Sequence, residues 1–276
     1  MAVKAHENEG KVYLLPSLMT AGNLLCGFLA ILKILEASIL RDSELSGWIH
    51  AYKTSLDFIL AAFVFDLLDG RVARLGGKES AFGREFDSLA DLISFGVAPA
   101  LLVFEIVLYQ FPHRLGWIVA ATYLVCGALR LARFNVYAAR SEENKEVFTG
   151  FPIPAAAGLV SSLTLFLLSL YETDRDLKQG WGRYVLAVLL LLLSFMMFSK
   201  LRYPSFKGVG LRTQRSLPKF LLVFATVALT VIYYKWMLAV DFLAYFLFGI
   251  IRPLLSPHWR QALERETEEE GEVASE

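Results

Sequence analysis

The chain has few cysteines, few histidines, no net charge and no repeats. Two cysteines in 276 residues, Cys26 and Cys126, each fall within an apolar run, which excludes a disulfide framework and leaves them as small packing residues. Lys and Arg total 27, as do Asp and Glu, so there is no gross basic pull toward nucleic acid. The four histidines, His6, His50, His113 and His258, are scattered and read as surface residues rather than a ligand set. Neither solenoid repeats nor inverted repeats of the transporter kind are visible. The first apolar run is too long for a cleavable signal peptide and lacks both a basic segment directly before it and an A-x-A site after it.

What is present is apolar length. Hydrophobic residues make up 56% of the chain, and a bilayer takes about 20 of them per crossing. Eight runs qualify as candidate helices: Pro16–Ala37, Ser55–Leu75, Asp87–Gln110, Leu115–Tyr137, Pro152–Tyr171, Trp181–Met197, Pro218–Trp236 and Leu238–Leu255. Backbone in lipid must satisfy its own hydrogen bonds, so the expected fold is all-α, a polytopic membrane bundle. With a cytoplasmic N-terminus, 19 of the 27 Lys and Arg fall inside and eight outside, which favours both termini inside. The expected organisation is a polar cytoplasmic segment over 1–12, a membrane catalytic domain over 13–256, and an acidic, disordered tail over 257–276. Lys200–Lys219 is the most basic inner loop; it suits topology and anionic headgroups, or reaches a substrate through Lys207 or Arg212.

Against this background stand four aspartates: Asp66-x-x-Asp69-Gly70-x-x-Ala73-Arg74, eight residues, then Gly83-x-x-x-Asp87-x-x-x-Asp91. Four uncompensated carboxylates in a bilayer would cost on the order of 10 kcal/mol. Asp66 and Asp69 share one helix face, as do Asp87 and Asp91, and the polar turn Leu75–Ala81 makes the two helices antiparallel neighbours, so all four can converge near the inner boundary. Oxygen donors without His or Cys suit Mg²⁺ or Mn²⁺, and two such ions would neutralise four carboxylates and clamp the oxygens of a phosphoryl displacement. Gly70 and Gly83 allow a helix backbone or a phosphate to approach; Ala73 removes bulk; Arg74 offers a planar fork for phosphate. Three other readings use the same residues: structural salt bridges to Arg71, Arg74 and Arg84, an ion or proton path in a transporter, and loop residues outside the helices.

The full pattern fixes eight residue identities over 26 positions and resembles the signature of the CDP-alcohol phosphatidyltransferase family at each of them. The resemblance implies a six-helix catalytic core, often a homodimer, and transfer of a phosphatidyl group from a CDP-linked lipid to an alcohol with release of CMP. It implies that Asp66, Asp69 and Asp87 carry the metals, that Asp91 also faces them and acts as general base, and that Gly70, Ala73, Arg74 and Gly83 line the CDP site. Pro16–Gly27, Ser94–Pro99, Arg130–Val136 and Gly150–Gly158 further resemble the membrane-embedded phosphatidylserine synthases of that family, with Ser17 standing where Asn is expected. The implied substrates are CDP-diacylglycerol and L-serine at the cytoplasmic side of the cell membrane; glycerol 3-phosphate, inositol phosphate and choline are the rival acceptors. Serine's carboxylate needs a cation, for which Arg130 and Arg133, three apart, are candidates. Thr20 and Asn23, three apart on the first helix, either hydrogen-bond the CDP-lipid or bond between helices.

Overall fold

A computed structural model describes residues 14–43, 47–75, 81–140, 150–170, 182–199, 225–226 and 228–251. Among these residues every regular element is helical. They form α1 (Leu14–Asp42), α2 (Trp48–Leu75), α3 (Ala81–Asp91), α4 (Ala98–Ile106), α5 (Leu115–Arg140), α6 (Ile153–Leu170), α7 (Gly182–Phe198) and α8 (Tyr234–Ile251). A π-helical stretch, Leu92–Val97, joins α3 to α4, so residues 81–106 run as one rod. The chain divides into two compact units, and α1 to α7 lie in the first, giving six rods.

Four helical segments, Ser17–Asp42, Phe82–Ile106, Pro112–Tyr137 and Ile153–Leu170, are long and apolar enough to cross a bilayer, and the protein associates with membranes. Tyr184–Phe198 and Trp236–Ile251 are shorter apolar helices. The second helix has the length but carries Lys53, Asp57, Asp66 and Asp69 along it. Most of the expected span Pro218–Trp236, the loops Arg140–Glu146 and Lys200–Lys219, the turn at 76–80 and both chain ends lie outside the described residues.

Pairwise contacts fix the directions. Thr20 meets Asp69 and Arg41 meets Tyr52, so α1 and α2 are antiparallel. Asn23 meets Asp91 and Ser38 meets Glu105, so α1 runs parallel to the rod. Ser88 meets Asn135 while Phe95 meets Tyr123, which sets α5 antiparallel to the rod. Phe151 bonds Met196 across the start of α6 and the end of α7. The result is an up-and-down bundle in which α1 packs on α2, α3, the π segment and α4.

The inner face of α1 explains that central place. Thr20, Asn23, Gly27, Ala30, Ile34 and Ala37 recur at intervals of three and four and are all buried. Leu18, Leu25, Phe28, Leu32, Leu35 and Ile39 occupy the opposite face and are exposed. Bulky residues gain little by leaving lipid for another helix, so packing falls to small residues that let backbones approach. At Gly27 the approach is so close that a Cβ would lie 2.7 Å from Ser94 Cα.

At the end of the bundle holding Arg41, that side chain is 9% exposed and joins three helices. It donates to Tyr52 Oη at 3.0 Å, Glu105 O at 2.6 Å and Ser38 Oγ at 3.3 Å, and pairs with the Glu105 carboxylate at 3.4 Å. Its guanidinium also lies over the Tyr109 ring.

The π segment has a local cause. In a regular α-helix the N–H of residue 99 would bond Phe95 O, but Pro99 has no N–H. The Ala98 N–H instead reaches back to Ile93 O, closing the wider turn. Tyr123 Oη, from α5, donates to the Phe95 carbonyl at 3.1 Å, both groups being buried. Tyr123→Phe should therefore leave that carbonyl unsatisfied and destabilise the bundle by about 1–3 kcal/mol. Thermal unfolding of the purified protein in detergent checks this as a lowered Tm with unchanged helical content.

Candidate functional site

Both acidic pairs lie at the bundle end opposite the Arg41 cluster. Asp66 and Asp69 come from the C-terminal part of α2, and Asp87 and Asp91 from α3. Asp66, Asp69 and Asp87 each present a carboxylate oxygen within 4.8 Å of the others. Asp91 lies close enough to interact electrostatically with all three. Its carboxylate is not one of the three mutually close groups.

Spacing explains how two helices supply this cluster. Residues three apart on α2 and four apart on α3 each fall on one face, and α1 packs against both helices and sets where those faces meet. From α1, Thr20 Oγ1 donates to Asp69 Oδ2 at 2.9 Å. Asn23 Nδ2 donates to Asp91 Oδ1 at 3.0 Å. Thr20 and Asn23 therefore both bond between helices. Ser94 Oγ closes the arrangement by donating to the Asn23 backbone carbonyl at 2.9 Å.

Like charges held this close in a low-dielectric setting repel strongly, so the cluster requires a counter-charge. The donor set is all oxygen, with neither sulfur nor imidazole among the three close groups, which fits a hard divalent cation. Arg130 on α5 faces Asp66 and supplies part of the compensation.

The remaining predicted residues divide. Gly70 lies one position past Asp69, and among the described residues a Cβ built on it would meet no atom within 4 Å, so packing of those residues leaves open space there. Gly83 lies on α3, four residues before Asp87. Ala73 and Arg74 belong to the last turn of α2, but their side chains lie outside the described residues. Arg133 is engaged elsewhere: it donates to Met197 O and Phe198 O, both at 3.3 Å. These carbonyls end α7, where a cation is favoured by the helix dipole and by orphan acceptors.

Two features were missed in the sequence. Asn135 on α5 donates to Ser88 Oγ at 3.0 Å and to Glu85 at 3.3 Å, bracing α3 just beside Asp87. Ser94 holds Asn23 through its backbone. Neither has a local periodic signal; the only hint is that polar residues inside apolar helices need partners.

The sequence profile of the CDP-alcohol phosphatidyltransferase family matches residues 13–198. A CDP-diacylglycerol–serine O-phosphatidyltransferase of Helicobacter pylori (strain ATCC 700392 / 26695) is 37% identical over 241 residues, covering 87% of this chain and 91% of the relative. A protein of the same name from Bacillus subtilis (strain 168) is 35% identical over 194 residues, 70% of this chain and 91% of the relative. The Saccharomyces cerevisiae protein of that name is 40% identical over 147 residues, 51% of this chain and 50% of the relative. Because the profile spans all six rods of the first unit and both acidic pairs, the chain belongs to the CDP-alcohol phosphatidyltransferase family.

Proposed function

We propose that this protein transfers the phosphatidyl group of CDP-diacylglycerol to the hydroxyl of L-serine, giving phosphatidylserine and CMP. The observation that carries the reading is the convergence of Asp66, Asp69 and Asp87 beside Asp91, in a chain similar over most of its length to proteins named for that reaction. In this reading Asp66, Asp69 and Asp87, with Asp91 alongside, hold divalent metal, Mg²⁺ or Mn²⁺, as two ions. Bound there, the metal supplies positive charge to the pyrophosphate oxygens of the nucleotide lipid.

The chain's own groups do the rest. Asp91, fixed by Asn23, accepts the proton of the serine hydroxyl. The serine oxygen then bonds to the lipid-side phosphorus as the bond from that phosphorus to the CMP oxygen breaks. Arg74, with Gly83 and Ala73, holds the nucleotide phosphates, and the open space at Gly70 leaves them room. Arg130, beside Asp66, is the cation we assign to the serine carboxylate. Arg133, holding the end of α7, keeps α5 in register for that contact. Thr20 and Asn23 serve the nucleotide lipid through the carboxylates they hold.

The site end of the bundle also carries Arg71, Arg84, Arg130 and Arg133, which supports a cytoplasmic active site in a multi-pass protein of the cell membrane with both termini inside. We place the catalytic domain over 13–256, with 1–12 and 257–276 flanking it, and infer a homodimer from the family.

Labelled CMP release from CDP-diacylglycerol, measured with serine, glycerol 3-phosphate, inositol phosphate and choline in parallel, tests the acceptor; serine should be the one that drives release, and another alcohol doing so overturns the assignment. Asp91→Asn should lower kcat by about 10²–10⁴-fold, the usual worth of a general base, while CDP-lipid binding stays measurable; near-normal turnover would remove Asp91 from that role. Gly70→Ala should leave Tm unchanged or raised, since alanine favours a helix by roughly 0.5–1 kcal/mol over glycine. The same variant should raise KM for the CDP-lipid, because the new methyl enters space the nucleotide needs.

A further inference from the structure

The two hydrogen bonds from α1 are not distributed at random over the four carboxylates. Among the described residues each acidic pair receives one from α1, at its second aspartate: Asp69 from Thr20, Asp91 from Asn23. All four side chains are buried, Thr20 at 4% exposure, Asn23 at 0%, Asp69 at 7% and Asp91 at 6%. The terminal torsion of an aspartate is intrinsically broad. A buried donor on one oxygen fixes the carboxylate plane, and with it the direction of the lone pairs left for other partners.

The Asn23 amide turns its Nδ2 to Asp91 and donates to Oδ1 at 3.0 Å. Asn23 is itself held from behind: Ser94, three residues past Asp91, donates to its carbonyl, and Gly27 on the next turn lets α1 lie against Ser94. Asp91 and Asn23 thus sit in a closed loop of contacts between α1 and the rod, each holding the other in place.

We propose that Thr20 and Asn23 are positioning residues with separate tasks: Thr20 orients Asp69 for metal binding, and Asn23 orients Asp91 for removing the acceptor's proton. The inference rests on the metal reading of Asp66, Asp69 and Asp87. It accounts for two polar residues buried three apart within the apolar stretch Leu18–Leu32 of α1, and it makes that helix, which supplies no ligand of its own, part of the catalytic apparatus.

Mn²⁺ binding to the purified full-length protein in detergent, followed by electron paramagnetic resonance without nucleotide, separates the parts. The wild-type protein should bind Mn²⁺; failure to bind overturns the metal reading and this inference with it. Thr20→Val should weaken Mn²⁺ binding by about 10–100-fold, the usual effect of losing a partner that orients a metal ligand. Thr20→Ser, which keeps the hydroxyl, should restore most of it. Asn23→Leu should bind Mn²⁺ nearly as the wild type does but lose kcat. If wild-type binds and Thr20→Val binds equally well, or Thr20→Ser is as impaired as Thr20→Val, the role of Thr20 is wrong while the metal site stands. An Asn23→Leu protein with full kcat removes the role of Asn23. Should Thr20→Val not yield folded protein, Thr20→Ala, which also lacks the hydroxyl and adds no bulk, gives the same reading.

Discussion

Mutual repulsion of carboxylates held in a bundle end is the constraint around which the first unit is built. Three oxygens within 4.8 Å of one another, with a fourth acid alongside, are unstable as a group unless positive charge and hydrogen-bond donors are brought to them. Each neighbouring element contributes something. The first helix brings two donors and the fifth brings Arg130, and the all-oxygen donor set would suit a divalent cation for the remainder.

Lipid solvation determines how the helices can meet that demand. The outward residues of α1 are bulky and apolar and its inward residues are small or polar, the reverse in emphasis of a soluble amphipathic helix. Close approach at Gly27, where a Cβ would meet the Ser94 backbone, brings helices near enough for short side chains such as Thr20, Asn23 and Ser94 to bridge between them. Longer residues at that crossing would push the bundle open and put the acids out of reach of their donors.

The spacing of Asp66, Asp69, Asp87 and Asp91 was readable without coordinates because it is local: three and four residues on a helix place side chains on one face wherever that helix goes. The helical architecture was readable for a similar reason, since a run of apolar residues has few alternatives in lipid. What escaped was pairing across long separations. Tyr123 with Phe95, Arg41 with Glu105, Ser94 with Asn23 and Arg133 with the end of α7 lie 28 to 71 positions apart and leave no periodic trace. Pro99 could have flagged a broken ladder, but not that a tyrosine from another helix would mend it. The bonds from Arg133 to the end of α7 are likewise invisible in its three-residue spacing from Arg130.

The first helix is tethered near both extremities, by Thr20 and Asn23 to the acids and by Ser38 and Arg41 to Tyr52 and Glu105. Such a rod cannot slide along its own axis or pivot about its middle without breaking one set of bonds. It acts as a fixed post. Loosening either set of bonds, at the acids or around Arg41, would therefore release the register of the whole helix.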